Sequence, residues 1–154
     1  MKVVNYKTST ILGRLAAFMV LVITGVSLIW ASLFLEASFI RKFFSIIAGV
    51  LGIIVFGRLV LMILICLFSD KQMFRYDQES IIVKDRKLSL NKIRKVEEQN
   101  NIPTGYLEIK TPAFILNTHD GEKIFIHTYF VISKKDYIVI SRTLKDIVSD
   151  RTKR

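Results

Sequence analysis

The sequence predicts an α+β membrane protein: an N-terminal transmembrane helical hairpin, then about seven short antiparallel strands and a C-terminal α-helix. Three observations carry that expectation. Residues 11–68 are predominantly apolar, whereas residues 70–154 read as an ordinary soluble domain. The apolar part falls into two runs of membrane-spanning length, separated by the short segment "EASFIRK". Beyond residue 72 the apolar residues first alternate, as in strands, and then recur at helix spacing. The chain divides near Ser69, into a hairpin of residues 1–69 and a domain of residues 70–154.

The first helix is expected over residues 15–35, a stretch without a charge. It is longer than the ~7–15-residue apolar core of a signal peptide, and no small-residue cleavage site precedes "EASFIRK". A membrane anchor is therefore expected. The second helix is expected over residues 43–68, interrupted only by Arg58. The tight connection makes the pair an antiparallel hairpin. Lys2, Lys7 and Arg14 precede the first helix, Lys71 and Arg75 follow the second, and Arg41 and Lys42 lie in the turn. That asymmetry favours a multi-pass protein of the cell membrane with both termini in the cytoplasm. The single cysteine, Cys66, lies in the second helix, so no intramolecular disulfide forms.

Arg58 is the anomaly of the hairpin. A hydrocarbon core starting at Phe43 would end near residue 62 or 63, leaving Arg58 roughly 6–8 Å deep. An arginine can span that depth and place its guanidinium among headgroups. Alternatively, Arg58 pairs with an acid from another chain or with a lipid phosphate, since this chain has no acid at that depth. Small residues spaced by four (Ser27 and Ala31, Ser45 and Gly49, Ala48 and Gly52) suit close helix packing in lipid. A homo-oligomer is compatible with that pattern. Trp30 is placed near the outer interface. No polar track suits a channel or transporter.

In the second half, "MFRYD", "SIIVK" and "RKLSL" read as strands separated by "QE" and "KD". "KIRKVEE" alternates loosely, with Ile93 and Val96 inward. "NNIPTG" reads as a loop. "YLEIK" has Leu107 and Ile109 on one face. "AFILNT" and "KIFIHT" flank Asp120-Gly121, a strong hairpin signal. "SKKDYIVISRTLKDIVSD" has Tyr137, Ile140, Leu144, Ile147 and Val148 at helix spacing, with Ser133 as cap and Asp136 approximating a capping box.

Seven strands and a closing helix are the order of a pleckstrin-homology-like (PH-like) barrel or sandwich. "FRYDQESIIVKDRKLSLNKIRKV" resembles the first part of bacterial PH-like domains, with Ile93 and Val96 as their "I-x-x-I"-like step. "FILNTHDGEKIFIHT" followed by a helix resembles their last hairpin. Two membrane helices ahead of such a domain resemble small bacterial membrane proteins with a cytosolic PH-like domain. The resemblance implies a non-enzymatic binding or scaffolding module at the inner leaflet. Some immunity proteins that accompany membrane-active bacteriocins are similar, so self-protection is a second expectation. An accessory subunit of a membrane complex is a third.

The net charge is +10, and residues 71–95 hold much of it. Lys71, Arg75, Lys84, Arg86, Lys87, Lys92, Arg94 and Lys95 face only Asp77, Glu79 and Asp85 there, a net of +5. Near an anionic leaflet each such residue gains roughly 1 kcal/mol. These eight are the candidate membrane-surface residues, and a bilayer with anionic lipids is the expected partner beside an unidentified protein. Basic residues not interleaved with a stacking series of aromatics argue against nucleic acid. His119 and His127 flank one hairpin and read as exposed; without nearby cysteines or paired acids they make no metal site. No phosphate loop or nucleophile–base pattern appears, so neither cofactor nor enzymatic activity is expected.

Overall fold

The structure is a computed structural model that describes residues 1–105, 107 and 109–152, with side chains up to residue 149. Two long helices dominate its first half. α1 spans Thr8–Phe34 and α2 spans Phe39–Phe68. Unbroken Leu, Ile, Val, Phe and Ala without proline allow this length. The helices begin earlier than the charge-free runs suggest. "TSTILGR" is helical because Ile11 buries one face in a core, and "FIRK" already belongs to the first turn of α2. Only residues 35–38 connect the two helices.

Both helices are long and apolar enough to cross a membrane. Their side chains are largely uncovered: Val20, Ile23, Leu33, Phe44, Leu51 and Ile54 are all exposed. Such a surface needs an apolar surrounding. Two hydroxyls within it are satisfied locally, Thr24 donating to the Val20 carbonyl at 2.9 Å and Ser32 to the Leu28 carbonyl at 2.7 Å.

Where the helices cross, Gly25 meets Gly49. A Cβ on Gly49 would lie 2.6 Å from the Gly25 carbonyl oxygen and 2.7 Å from Ile29. Of the small residues singled out by spacing, Gly49 sits in this crossing, and Ala31 and Ser45 are half-buried. Ser27 and Ala48 are exposed, and a Cβ on Gly52 would meet nothing within 4 Å. The crossing needed its partner Gly25, which has no small neighbour at a four-residue spacing.

The strands form two antiparallel meanders. The first sheet contains β1 (Lys2–Asn5), β2 (Gln72–Tyr76), β3 (Ser80–Val83) and β4 (Arg86–Ser89), in that order. The second contains β5 (Ile93–Pro103), β6 (Lys110–Thr118) and β7 (Lys123–His127). A 3₁₀ turn over Leu90–Lys92 joins them. No strand pair bridges the two sheets, so hydrogen bonding does not close a barrel among the described residues. α3 (Lys134–Thr152) follows and packs through Tyr137, Ile140 and Leu144. Ser133 caps it: its Oγ accepts from the Asp136 amide at 3.1 Å and donates to the Asp136 carboxylate at 2.7 Å.

The first strand is the surprise. β1 precedes both long helices yet pairs with β2 beyond them, Val3 opposite Arg75 and Val4 opposite Phe74. The expected seven strands therefore comprise β1 and six in the second half. "NNIPTG" is not wholly a loop: β5 runs through Pro103, with a register shift between Gln99 and Ile102 and a left-handed Asn101 (φ 66°). A bulge accommodates asparagine and proline in a strand. Tyr106 and Glu108 of the expected "YLEIK" strand lie outside the described residues.

One core joins both halves. Phe74, Ile81, Phe114, Leu116, Ile126 and Leu144 from the sheets and α3 cluster with Tyr6 and Ile11 before the hairpin and Met62, Ile63 and Cys66 at its end. The core thus crosses residue 69. A helix of 30 residues measures roughly 45 Å, against a hydrocarbon thickness of ~30 Å. The last ten residues of α2, roughly 15 Å, are the part inside the domain.

Candidate functional site

β1 leads into α1 and α2 leads into β2, so both helices leave the first sheet from one end. The β3–β4 turn lies at that end too, because Asn5 pairs with Gln72 and Val83 with Arg86. The Tyr6 amide donates to the Lys71 carbonyl at 2.9 Å, tying the two strand-to-helix junctions together. This end of the domain holds a cavity of about 210 Å³. Met62, Met73, Val83 and Ile126 make its apolar wall, and Tyr6, His127, Tyr129, Lys84 and Asp85 its polar part.

His127 is the chemically distinctive group. It ends β7 and is only 7% exposed, so the expectation of an exposed hairpin histidine is corrected. Ala113 opposite and the foot of α2 cover what the sequence pattern leaves open. His119, in the turn at the other end of β7, is separated from it by roughly 20 Å of strand. The His127 Nδ1 has no hydrogen-bond partner among the described residues. Burial, reinforced by the Lys84 charge, pushes its pKa down to about 4. The ring is neutral at physiological pH and offers one donor and one acceptor. The Tyr6 hydroxyl donates to the His127 carbonyl at 2.6 Å, and burial holds the Tyr6 pKa well above its ordinary value. The Lys84 ammonium lies 6.0 Å from the centroid of the Tyr129 ring.

Backbone strain collects around this cavity. Lys84 (φ 47°) and Asp85 (φ 64°) form a two-residue hairpin turn in the left-handed region, without glycine. Tyr129 (φ 49°) and Phe130 (φ 57°) repeat that conformation after β7. Bulky residues there cost of order 1–2 kcal/mol each. The neutral imidazole, the ammonium and the apolar wall suit hydrogen bonding to a small amphiphilic group. Among the described residues, no cluster of histidine, cysteine or acid is arranged to hold a metal ion.

The other feature of this end is Arg58. Its guanidinium donates to the backbone carbonyl of Leu107, in the β5–β6 connection. The second sheet therefore reaches past the cavity along α2. Cys66 lines the cavity and Arg58 lies eight residues earlier, roughly 12 Å up the helix.

The eight basic residues of 71–95 do not form one patch. Arg86 pairs with Glu122 at 2.7 Å, Lys92 approaches Asp120 at 4.0 Å, and Lys95 pairs with Glu97. Arg75 and Lys87 share the outer face of the first sheet, either side of Ile82. Lys71 is half-buried beside Tyr6, and Arg94 is exposed on β5. Lys84 stands at the cavity, at the end from which the helices leave. Sequence proximity overstated the cluster, because β4 and β5 belong to different sheets. Sequence pattern gives no role to Tyr6, beyond the alternation in "KVVNY", and it puts Leu107 on a strand face with Ile109; the structure instead has Leu107 exposed in a turn while Ile109 packs against the core.

No curated protein and no solved structure matches the chain. The profile of one family matches residues 2–142, from β1 to the first half of α3. The chain belongs to that family, DUF5381, a family of unknown function.

Proposed function

We propose that this chain is a non-enzymatic binding module of PH-like fold, anchored at the inner leaflet of a bacterial cell membrane. The shared core carries this reading. Ile11, Met62 and Ile63 of the helices pack with Phe74 and Phe114 of the sheets, so the domain is held rigidly at the membrane rather than on a linker. A four-stranded meander, a three-stranded meander and a closing helix match the PH-like order, with the helical hairpin inserted between strands one and two. The pairing of β1 with β2 supports both ends of the hairpin lying on the same side. Lys2, Lys7, Arg14 and the +5 of residues 71–95 on that side favour the cytoplasm.

The cavity at the membrane-facing end is the module's candidate binding site. Lys84 at its rim, with Lys87 and Arg75 nearby on the sheet, favours contact with anionic lipid headgroups. Arg58 already has an acceptor within the chain, so the geometry gives no reason to invoke an acidic helix of another subunit.

The test is proteolysis of the full chain in sealed membrane vesicles of known sidedness. Cleavage of tags at both termini only in inside-out vesicles supports the reading. Cleavage only in right-side-out vesicles, or release of the chain from membranes by alkaline carbonate, overturns it.

A further inference from the structure

We propose that the tip of the β5–β6 hairpin is a third membrane contact, seated in the headgroup layer of the same bilayer that holds α1 and α2. The proposal rests on the membrane-anchored reading above and adds what the domain does with its own surface. Four observations carry it.

The tip is fixed beside α2. The Arg58 guanidinium donates to the Leu107 carbonyl, and Ile109 packs against the common core. The amide and hydroxyl of Thr104 both donate to the Ile109 carbonyl, at 3.0 and 2.9 Å, closing the tip across its base.

Its height is that of a boundary. From Arg58 toward the hairpin turn, α2 carries no charge until Lys42. On α1 the corresponding level is marked by Arg14. Phe18 stacks near Phe56 and Gly25 meets Gly49, which places Arg14 opposite Val60, within a turn of Arg58. The uncharged stretch of α2 is roughly 22 Å long. Cationic side chains extending outward from Arg58 and Lys42 make up the rest of a ~30 Å core. Arg58 is thus the inner edge of the apolar belt.

Two described residues of the tip present apolar surface at that edge. Leu107 is 43% exposed and Pro103 is exposed, whereas Ile102 and Ile109 turn inward. Leu107 is held at φ 50°, in the left-handed region. Lys110, exposed at the start of β6, stands where a lysine can reach lipid phosphate.

The occupant is named by continuity. Leu107 is bonded to α2 at Arg58, within a turn of the exposed Ile54, Val55 and Leu61, so whatever solvates that helix also meets Leu107. A tip in the headgroup layer makes a three-point attachment. The domain cannot swing, and its cavity keeps a fixed height below the bilayer.

The chain's single tryptophan, Trp30, makes the test direct. The full chain is reconstituted in phosphatidylcholine–phosphatidylglycerol vesicles containing lipids brominated near the headgroup. Three proteins are compared: the native chain, Trp30→Phe with Leu107→Trp, and Trp30→Phe with Asp120→Trp, which reports on the exposed far turn. We expect strong quenching and blue-shifted emission for the native chain and for the Leu107→Trp protein, and water-like emission for the Asp120→Trp protein. Adding Arg58→Ala to the Leu107→Trp protein should lower its quenching at least twofold. Quenching of the Leu107→Trp protein no greater than that of the Asp120→Trp protein, with Trp30 itself quenched, overturns the tip contact alone. Unquenched Trp30 overturns the membrane anchoring on which it rests.

Discussion

The hydroxyl of Tyr6 donates to the carbonyl of His127 across 2.6 Å, joining residues 121 apart in sequence. The bond links the segment before the first helix to the end of the last strand, inside the common core. Replacing Tyr6 by phenylalanine leaves the ring packing but orphans a buried carbonyl. We expect a loss of about 1–3 kcal/mol, read as a lower unfolding midpoint in detergent, with the helix content of the folded protein unchanged.

The core crosses the hairpin–domain division, so residues 70–154 alone should not fold. That fragment lacks β1, Tyr6, Ile11, Met62, Ile63 and Cys66, all but β1's residues buried in the core. Its amide proton NMR spectrum should be collapsed and its near-ultraviolet dichroism weak. A well-dispersed spectrum would show that the hairpin contributes nothing to the domain.

Stability should fall with acidification in a window set by His127. Its pKa is near 6.5 in the unfolded chain and about 4 in the folded one. Between those values the unfolded chain holds the additional proton. Stability is therefore full above pH 6.5 and declines as pH drops toward 4. The decline is at most about 3.5 kcal/mol, from ~1.4 kcal/mol per pKa unit. Asp77, Glu97, Glu98 and Asp136 have lowered pKa values through hydrogen bonds and add their losses only below about pH 5. A His127→Gln protein should lose the slope between pH 6.5 and 5 in urea titrations at several pH values; an unchanged slope refutes the assignment.

Gly49 and Gly52 should respond oppositely to alanine. The added Cβ at Gly49 strikes the Gly25 carbonyl and Ile29, whereas at Gly52 it meets nothing. Gly49→Ala should cost about 1–3 kcal/mol by forcing the helices apart. Gly52→Ala should be neutral or stabilise by up to about 1 kcal/mol through helix propensity. Thermal denaturation of the two proteins in the same detergent decides it.

Ser133→Ala should cost about 1 kcal/mol by removing the cap of α3. Hydrogen exchange should show it first in the opening turn, Lys134–Tyr137. Equal exchange in both proteins would mean that packing of Tyr137, not the cap, fixes that end.

The sequence made the elements with long periodicity legible. Two apolar runs announce α1 and α2, the helix spacing of Tyr137, Ile140 and Leu144 announces α3, and Asp120-Gly121 marks the β6–β7 turn. What it hid were long-range relationships. "KVVN" is too short to assert a strand, and its partner β2 lies beyond both helices. "ILICLF" has the same composition whether it meets lipid or a protein core, so the division at residue 69 could not show that Met62, Ile63 and Cys66 belong to the domain. Arg58 reads as a charge inside an apolar run because nothing in the composition of that run marks where exposed surface gives way to the protein core. Its acceptor is a main-chain carbonyl, which no residue pattern encodes. The cavity was equally hidden, since Tyr6, Lys84 and His127 come from three distant segments.

The position of β1 bears on how the molecule is made. During synthesis β1 emerges first and waits unpaired until some seventy residues, including both long helices, have followed it. The edge it must join does not exist until both helices have been made. If the hairpin spans a membrane as proposed, a chain that inserts only one helix leaves β1 on the opposite face from β2, and its first sheet cannot be completed. On the anchored reading, completion of the domain is thus tied to insertion of both helices: a mis-inserted copy keeps an open sheet edge and a half-built core.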